Sequence, residues 1–466
     1  MMGTFISTQV RTKHGILEGV DSGNYLVFKG VPYAKPPVGE LRFQAPQEPE
    51  CWEGVRKADR FGNRAVQDLP DADNPFTGRY AKEFYSDPEF IPEMSEDCLY
   101  LNIWAPKREE AECKESERKE AEGEDRELSG LPVAFWIHGG GFGGGYSSEM
   151  EFDGAAFCEK GVILVTVEYR VNAFGFLAHP WLTEENEDHV SGNYGILDQI
   201  AALRWVHENI AAFGGDPENI TVFGQSAGSM STQVLVSTAE TEGLIAKAIM
   251  QSGLSCKEEI LATPTLEEEE EYGKLFVELT GAKNPEELRS LSAEEMQEAR
   301  RKFDAKMWET GDGLVMVPNV DGKLLKKSVK ETWKCGKLRK IPYMLGVVTD
   351  DLGAAPEEVA KKETGILMEE CKRWADTCEK LGTPVYLYHF AHELPGDDWG
   401  AFHSAELWYM FGTYGRCWRP MGTEDQRLSE QMVTYWTNFM KTGDPGCAGG
   451  ESWEAYTREN PVVKRF

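Results

Sequence analysis

No apolar run in the 466 residues approaches the roughly 18–20 needed to cross a bilayer, so no membrane span is expected. Basic residues are in deficit. Lys plus Arg number 49 against 79 Asp plus Glu, a formal net charge of −30. That sign repels phosphates and anionic headgroups, which excludes a general nucleic-acid or membrane-surface role. None of the ten cysteines stands in a CxxC pair or in a Cys/His cluster with zinc-ligand spacing, so no metal is expected. The start shows no basic region followed by an apolar stretch, and Met1-Met2-Gly3 puts its glycine one place too late for myristoylation. Free thiols in the cytoplasm are the resulting expectation. Nothing in the sequence demands an assembly, which favours a monomer.

What is present is ample core material, with 41% hydrophobic and 11% aromatic residues. Length alone allows up to three domains. Two segments differ in composition from the rest. Residues 107–130 hold ten acids and six bases between two strand-like runs, Leu99–Trp104 and Leu131–Ile137, and read as a charged, solvated insertion. From Thr265 to about 309, a Thr265/Glu268 capping box precedes Leu275, Phe276, Leu279, Leu288, Leu291 and Met296 at helical spacing. This is a helical insert, expected to cover something.

Elsewhere strands alternate with helices. Val162–Val167 is an apolar, β-rich run suited to burial on both faces. Asn193–Phe213 reads as a helix with Ile196, Ile200, Leu203 and Val206 on one stripe. Further strands are expected at Asn219–Phe223, Ala246–Gln251, Tyr343–Val348 and Val385–Phe390. The alternation predicts a doubly wound α/β sheet with insertions.

Gly224-Gln-Ser-Ala-Gly228 follows the Asn219–Phe223 strand and precedes a helix. That strand-turn-helix setting is the one a nucleophile elbow requires, and it makes Ser226 the candidate nucleophile. His138-Gly-Gly-Gly-Phe-Gly-Gly-Gly145 also follows a strand, and its backbone N–H groups, with that of Ala227, could hold a developing negative charge. The same glycines satisfy G-x-G-x-x-G, with Glu168 ending the next strand. However, Gly143-Gly-Gly-Tyr-Ser-Ser148 is a poor opening for the helix a dinucleotide site needs, so no cofactor is expected. His138 itself reads as a structural loop residue.

Only eight histidines are available as a base. Where the base follows the acid in chain order, His389, His392 and His403 qualify. His389 lies within a strand and reads as a core residue, whereas His403 precedes an aromatic-rich helix and is favoured. Asp350 and Asp351 both end the Tyr343 strand, and position alone does not choose between them.

These motifs, with Phe28-Lys-Gly-Val-Pro-Tyr33, Ser95-Glu-Asp-Cys98, Asn193-Tyr-Gly-Ile-Leu-Asp198, Phe213-Gly-Gly-Asp-Pro217 and Gly400-Ala-Phe-His-Ser-Ala-Glu406, resemble the type-B carboxylesterases over nearly the whole chain. The resemblance implies one α/β-hydrolase domain over residues 1–466. Its mostly parallel central sheet would be flanked by helices and carry helical cap insertions. It implies a Ser226, His403, Asp351 triad, with Asp351 standing where most relatives carry glutamate. Oxyanion donors map to Gly140, Gly141 and Ala227, and Arg42 with Glu96 to a structural ion pair. Gln225 replaces the glutamate that many relatives place before the nucleophile. The position that would pair with Cys98 in the family's N-terminal disulfide is Ala65, so that bridge is not expected. Only 52 residues separate Asp351 from His403, which implies a trimmed cap and an open cleft.

The implied activity is hydrolysis of small, fairly apolar carboxylic esters. Phe142, Gln225, Trp408, Tyr409 and Phe411 are the candidate substrate contacts. An amide or carbamate hydrolase on the same triad, separable by matched ester and anilide substrates, is the alternative enzyme. A non-catalytic binding protein is disfavoured because every triad member is present.

Overall fold

The computed structural model describes residues 8–74, 77–107, 130–257, 262–311 and 313–466. Ten strands build the main sheet: β1 (Val20–Asp21), β2 (Tyr25–Pro32), β3 (Tyr100–Pro106), β4 (Leu131–Ile137), β5 (Ile163–Val167), β6 (Gly215–Gln225), β7 (Lys247–Gln251), β8 (Tyr343–Val348), β9 (Val385–Phe390) and β10 (Val463–Arg465). Their spatial order is β10-β9-β8-β7-β6-β4-β5-β3-β2-β1. Every pair from β10 to β5 is parallel, while β3, β2 and β1 join antiparallel. The α/β-hydrolase fold read from the sequence is therefore present, with a mixed edge. The strand β2 carried no expectation of its own, because its antiparallel partner β3 lies far along the chain.

The central strands read as continuous apolar runs because both faces are covered. All residues of β5, β7, β8 and β9 are buried. The helices that matter below are α1 (Gly78–Phe84), α2 (Tyr194–Asn209), α3 (Ala227–Ser237), α4 (Leu266–Thr280), α5 (Ala293–Thr310), α6 (Ile366–Lys380), α7 (Leu407–Met410) and α8 (Thr423–Thr442). The stripe of α2 is buried as its spacing predicts. Its last turn tightens into a 3₁₀ turn, Ile210–Phe213, rather than continuing as helix. The strand expected at Asn219–Phe223 is longer at both ends. Leu131 pairs with Gly215, so a neighbouring strand supplies hydrogen-bond partners to a polar stretch that has no apolar pattern.

In the helical insert, Thr265 caps α4 and Glu268 returns the bond to the Thr265 backbone. Phe276 on α4 and Phe303 on α5 meet edge-to-face at 5.8 Å, so the two helices bury their apolar faces against each other. The insert is tied to the body by Arg42, whose guanidinium pairs with Glu96 and donates to the Leu291 carbonyl at 2.6 Å. The charged insertion at 107–130 lies almost wholly outside the described residues.

Candidate active site

Ser226 is the single residue between β6 and α3. It stands at φ 56°, ψ −126°, a conformation that costs a non-glycine residue strain. Its N–H donates to the Gln251 carbonyl at 2.9 Å, so the neighbouring strand β7 pins the turn. The turn is tight enough that a Cβ on Gly228 would fall 2.0 Å from the carbonyl oxygen of Ile137, the last residue of β4. Ser226 thus sits at the N-terminus of an eleven-residue helix, whose dipole favours negative charge there.

His403 reaches the same place from the chain after β9. A parallel bridge between Asp350 and Phe402 anchors its loop. Asp351 Oδ1 lies 2.7 Å from His403 Nδ1. The same carboxylate accepts the N–H groups of Leu352 at 2.8 Å and Val348 at 3.1 Å, which fixes its orientation. Asp350 instead spends its backbone N–H on the Ala401 carbonyl and keeps a partly exposed side chain. Burial, then the charge of Asp351, holds the Asp350 carboxyl above its usual range. The arm one methylene shorter than glutamate therefore still reaches the imidazole.

Gln225 Nε2 stands 3.2 Å from His403 Nε2. An amide nitrogen can only donate, so Nε2 is the acceptor and the ring proton sits on Nδ1, facing Asp351. The two other candidate bases are engaged elsewhere. His389 Nε2 meets Thr349 Oγ1 at 2.8 Å, and His392 Nε2 meets Asp425 at 2.9 Å. His138 is fully buried against Tyr169, and desolvation lowers its pKa to about 4, as expected of a neutral structural residue.

The glycine loop packs against this elbow. Gly140 has φ 108°, and a Cβ there would lie 2.2 Å from the Gly144 carbonyl oxygen. The N–H groups of Gly143 and Gly144 both close onto the Gly140 carbonyl. Those of Gly140, Gly141 and Ala227 find no acceptor among the described residues. A cavity of about 700 Å³ is lined by Gly140, Gln225, Ser226 and His403. Tyr80, Phe84, Tyr85 and Phe152 line it as well, Tyr80 donating its hydroxyl to the His403 carbonyl at 3.4 Å, and Asp304 of α5 is the helical insert's residue on it.

Of the five candidate substrate contacts, Gln225 borders the cavity and four do not. Trp408 is buried because its indole N–H donates to Glu83 at 2.9 Å while its ring stacks on Phe84. Tyr409 donates its hydroxyl to Asp425 at 2.7 Å. Phe411 packs on Trp136, Phe152 and Phe157 behind the cavity wall. Phe142 turns into the core against Phe176. The short helix α7 packs Trp408 on α1 and Tyr409 between Asp425 of α8 and Phe390 of β9, and Leu407 is its residue on the cavity. The aromatic lining comes instead from a segment that the sequence reading left unassigned. Its signal is the Tyr80/Phe84 pair at i and i+4, one face of a helix, with Tyr85 next in the chain.

Among the described residues no group of His, Cys, Asp and Glu is arranged to hold a metal ion. The described cysteines are free, and Ala65 lies buried in the same cluster as Cys98.

A model of the carboxylesterase family matches residues 6–370 and 365–465. The para-nitrobenzyl esterase of Bacillus subtilis is 33% identical, over 97% of this chain and 94% of that protein. The fumonisin B1 esterase of Sphingopyxis macrogoltabida is 30% identical, over 97% of this chain and 85% of its own length. A solved para-nitrobenzyl esterase structure superposes with a TM-score of 0.79 at 29% identity, covering 98% of this chain and 95% of that one. On the strength of the family match and these relatives, the chain belongs to the carboxylesterase family and is a carboxylic ester hydrolase.

Proposed function

We propose that the hydrolysis runs through an acyl-enzyme on Ser226, with His403 as the proton carrier, Asp351 as its orienting carboxylate and the amides of Gly140, Gly141 and Ala227 as the oxyanion donors. The observation that carries this reading is the 2.7 Å contact of Asp351 with His403 Nδ1 in a cavity that Ser226 shares. With Nδ1 holding a proton, Nε2 is free to take the proton of the Ser226 hydroxyl as that oxygen attacks the ester carbonyl. The Gln225 amide now on Nε2 must yield that lone pair to Ser226.

The tetrahedral oxyanion accepts the three unspent N–H groups, each such donor being worth roughly 3 kcal/mol in comparable sites. The imidazolium, paired with Asp351, then protonates the leaving alcohol. A water molecule repeats the sequence on the acyl-enzyme and restores Ser226. The aromatic border formed by Tyr80, Phe84, Tyr85 and Phe152 supports small, fairly apolar substrates. Buried free thiols at Cys98, Cys158, Cys256, Cys371 and Cys378 suit a reducing compartment such as the cytoplasm.

The experiment is Ser226→Ala assayed on p-nitrophenyl esters from acetate to decanoate. Turnover is expected to fall by at least about 10⁴-fold with the fold intact by circular dichroism. A variant that keeps wild-type turnover would overturn the reading.

A further inference from the structure

Two carboxyl groups border the cavity without a part in the hydrolysis as derived. Glu149 and Glu151 line it together with Ser226 and His403, yet they are 6% and 1% exposed. Glu149 accepts the Tyr85 hydroxyl at 2.7 Å and the Tyr146 N–H at 3.1 Å. The charge of Glu149 also acts on Glu151. The second oxygen of Glu151 finds no donor among the described residues.

A buried acid pair with an orphaned oxygen is a costly way to build an apolar wall, since unpaired buried polar atoms keep their desolvation penalty. Neither carboxyl forms an ion pair among the described residues. The charged groups around them are otherwise engaged. Glu83 is held by Arg419, while Glu168 accepts the N–H groups of Ala65 and Ser147. Arg64 donates to the carbonyls of Pro92 and Gln67. Burial first of all pushes Glu149 up to about 7 and Glu151 well above the carboxylate range, so ionising the pair is costly unless a cation stands beside it. The neighbouring border is aromatic, with Phe84, Tyr85 and Phe152, and ring faces attract cations.

We propose that Glu149 and Glu151 form a subsite for a protonated amine carried by the ester substrate, the orphaned Glu151 oxygen accepting its N–H. On binding, a proton held by the pair leaves to solvent and the ammonium supplies the countercharge. This rests on the reading of the Ser226 cavity as the place of hydrolysis.

The test compares kcat/KM for p-nitrophenyl ω-(dimethylamino)hexanoate with that for its carbon isostere. A second pair carries the amine on the alcohol side, ω-(dimethylamino)pentyl butyrate against its isostere. The charged ester of at least one pair is expected to be favoured on the order of tenfold or more. In Glu151→Gln, and in the double variant Glu149→Gln/Glu151→Gln, that ratio is expected to fall toward one. Both esters are read on one preparation, so the ratio does not depend on how much of it is folded. Wild-type ratios at or below one on both sides would overturn the proposal, as would a ratio retained in the double variant. For variants that cannot be prepared, inhibition of the wild type by butyldimethylammonium against an isosteric alcohol decides, and equal inhibition overturns the subsite. Failure of the subsite leaves neutral esters turning over through Ser226. Failure of the underlying reading shows as an active Ser226→Ala.

Discussion

Two parts of the cavity lining, a backbone side and a side-chain side, are built in different ways. One side is backbone: the glycine loop after β4, the Ser226 turn after β6 and the loop carrying His403 after β9. The other side is side chain: Tyr80 and Phe84 from α1, Tyr85 beside it, and Glu149, Glu151 and Phe152 from the turn that follows the glycine loop. On the backbone side a Cβ on Gly140 would fall 2.2 Å from the Gly144 carbonyl oxygen and one on Gly224 2.4 Å from that of Gly228, so residue identity there is dictated locally. On the side-chain side many residue types would fit the same chain path. The first is therefore expected to fix the reaction, and the second to fix which ester reacts.

The sharpest way to break that division is Asp351→Asn. Loss of the negative partner to His403 Nδ1 is expected to lower kcat by roughly 10⁴-fold while leaving the apolar preference among esters unchanged. A changed acyl-chain preference in the residual activity would show that the two sides are not separable. Next comes Gly140→Ala, whose Cβ would meet the Gly144 carbonyl at 2.2 Å. It is expected to displace the loop amides and lower kcat by about 10²–10³-fold, with KM much less affected. A pure KM effect would place this loop in recognition instead.

A third prediction concerns Glu406, fully buried three residues after His403, with one oxygen on Gln251 and the other without a donor among the described residues. Burial first, then Asp351, raises its pKa from the ordinary 4.5 to about 7. The folded value exceeds the unfolded one. The stability tied to the neutral acid is therefore complete below pH 4.5 and lost as pH rises through about 7, an effect of up to roughly 3 kcal/mol. Glu406→Gln cannot ionise, so its melting temperature is expected to gain on the wild type between pH 5 and pH 8. A difference that is independent of pH would refute this.

The smallest effect tests the core against the pocket. Trp408→Phe removes the indole N–H from Glu83 and is expected to cost about 1–3 kcal/mol in chemical denaturation. The p-nitrophenyl ester profile should not move. A shift in acyl preference would return Trp408 to the cavity wall.

Legibility in the sequence follows the same division. The strands Leu131–Ile137, Tyr343–Val348 and Val385–Phe390 have the bounds their apolar runs imply, because burial on both faces leaves no other reading. Ser226, the glycine loop and the Thr265 cap were equally legible, since each is a short-range steric or hydrogen-bonding requirement written in adjacent residues. The choice of Asp351 over Asp350 needed the family resemblance, and its geometric reason is tertiary. The bridge to Phe402 engages the backbone of Asp350 and leaves Asp351 facing the imidazole. Trp408, Tyr409 and Phe411 were misplaced because aromatic composition near a catalytic loop does not say which way a short helix faces.

By itself, then, the sequence determined the alternation of the central strands and helices, the elbow, the amide-rich loop and the family. All are encoded by contacts between residues close in the chain, or by runs whose period admits one environment. Tertiary structure alone decided which acid meets His403, which aromatics border the cavity and that two buried glutamates line it with Ser226. Those outcomes depend on segments such as 80–85, 149–152 and 403–407 meeting across the sheet. No local pattern records a meeting between residues that far apart.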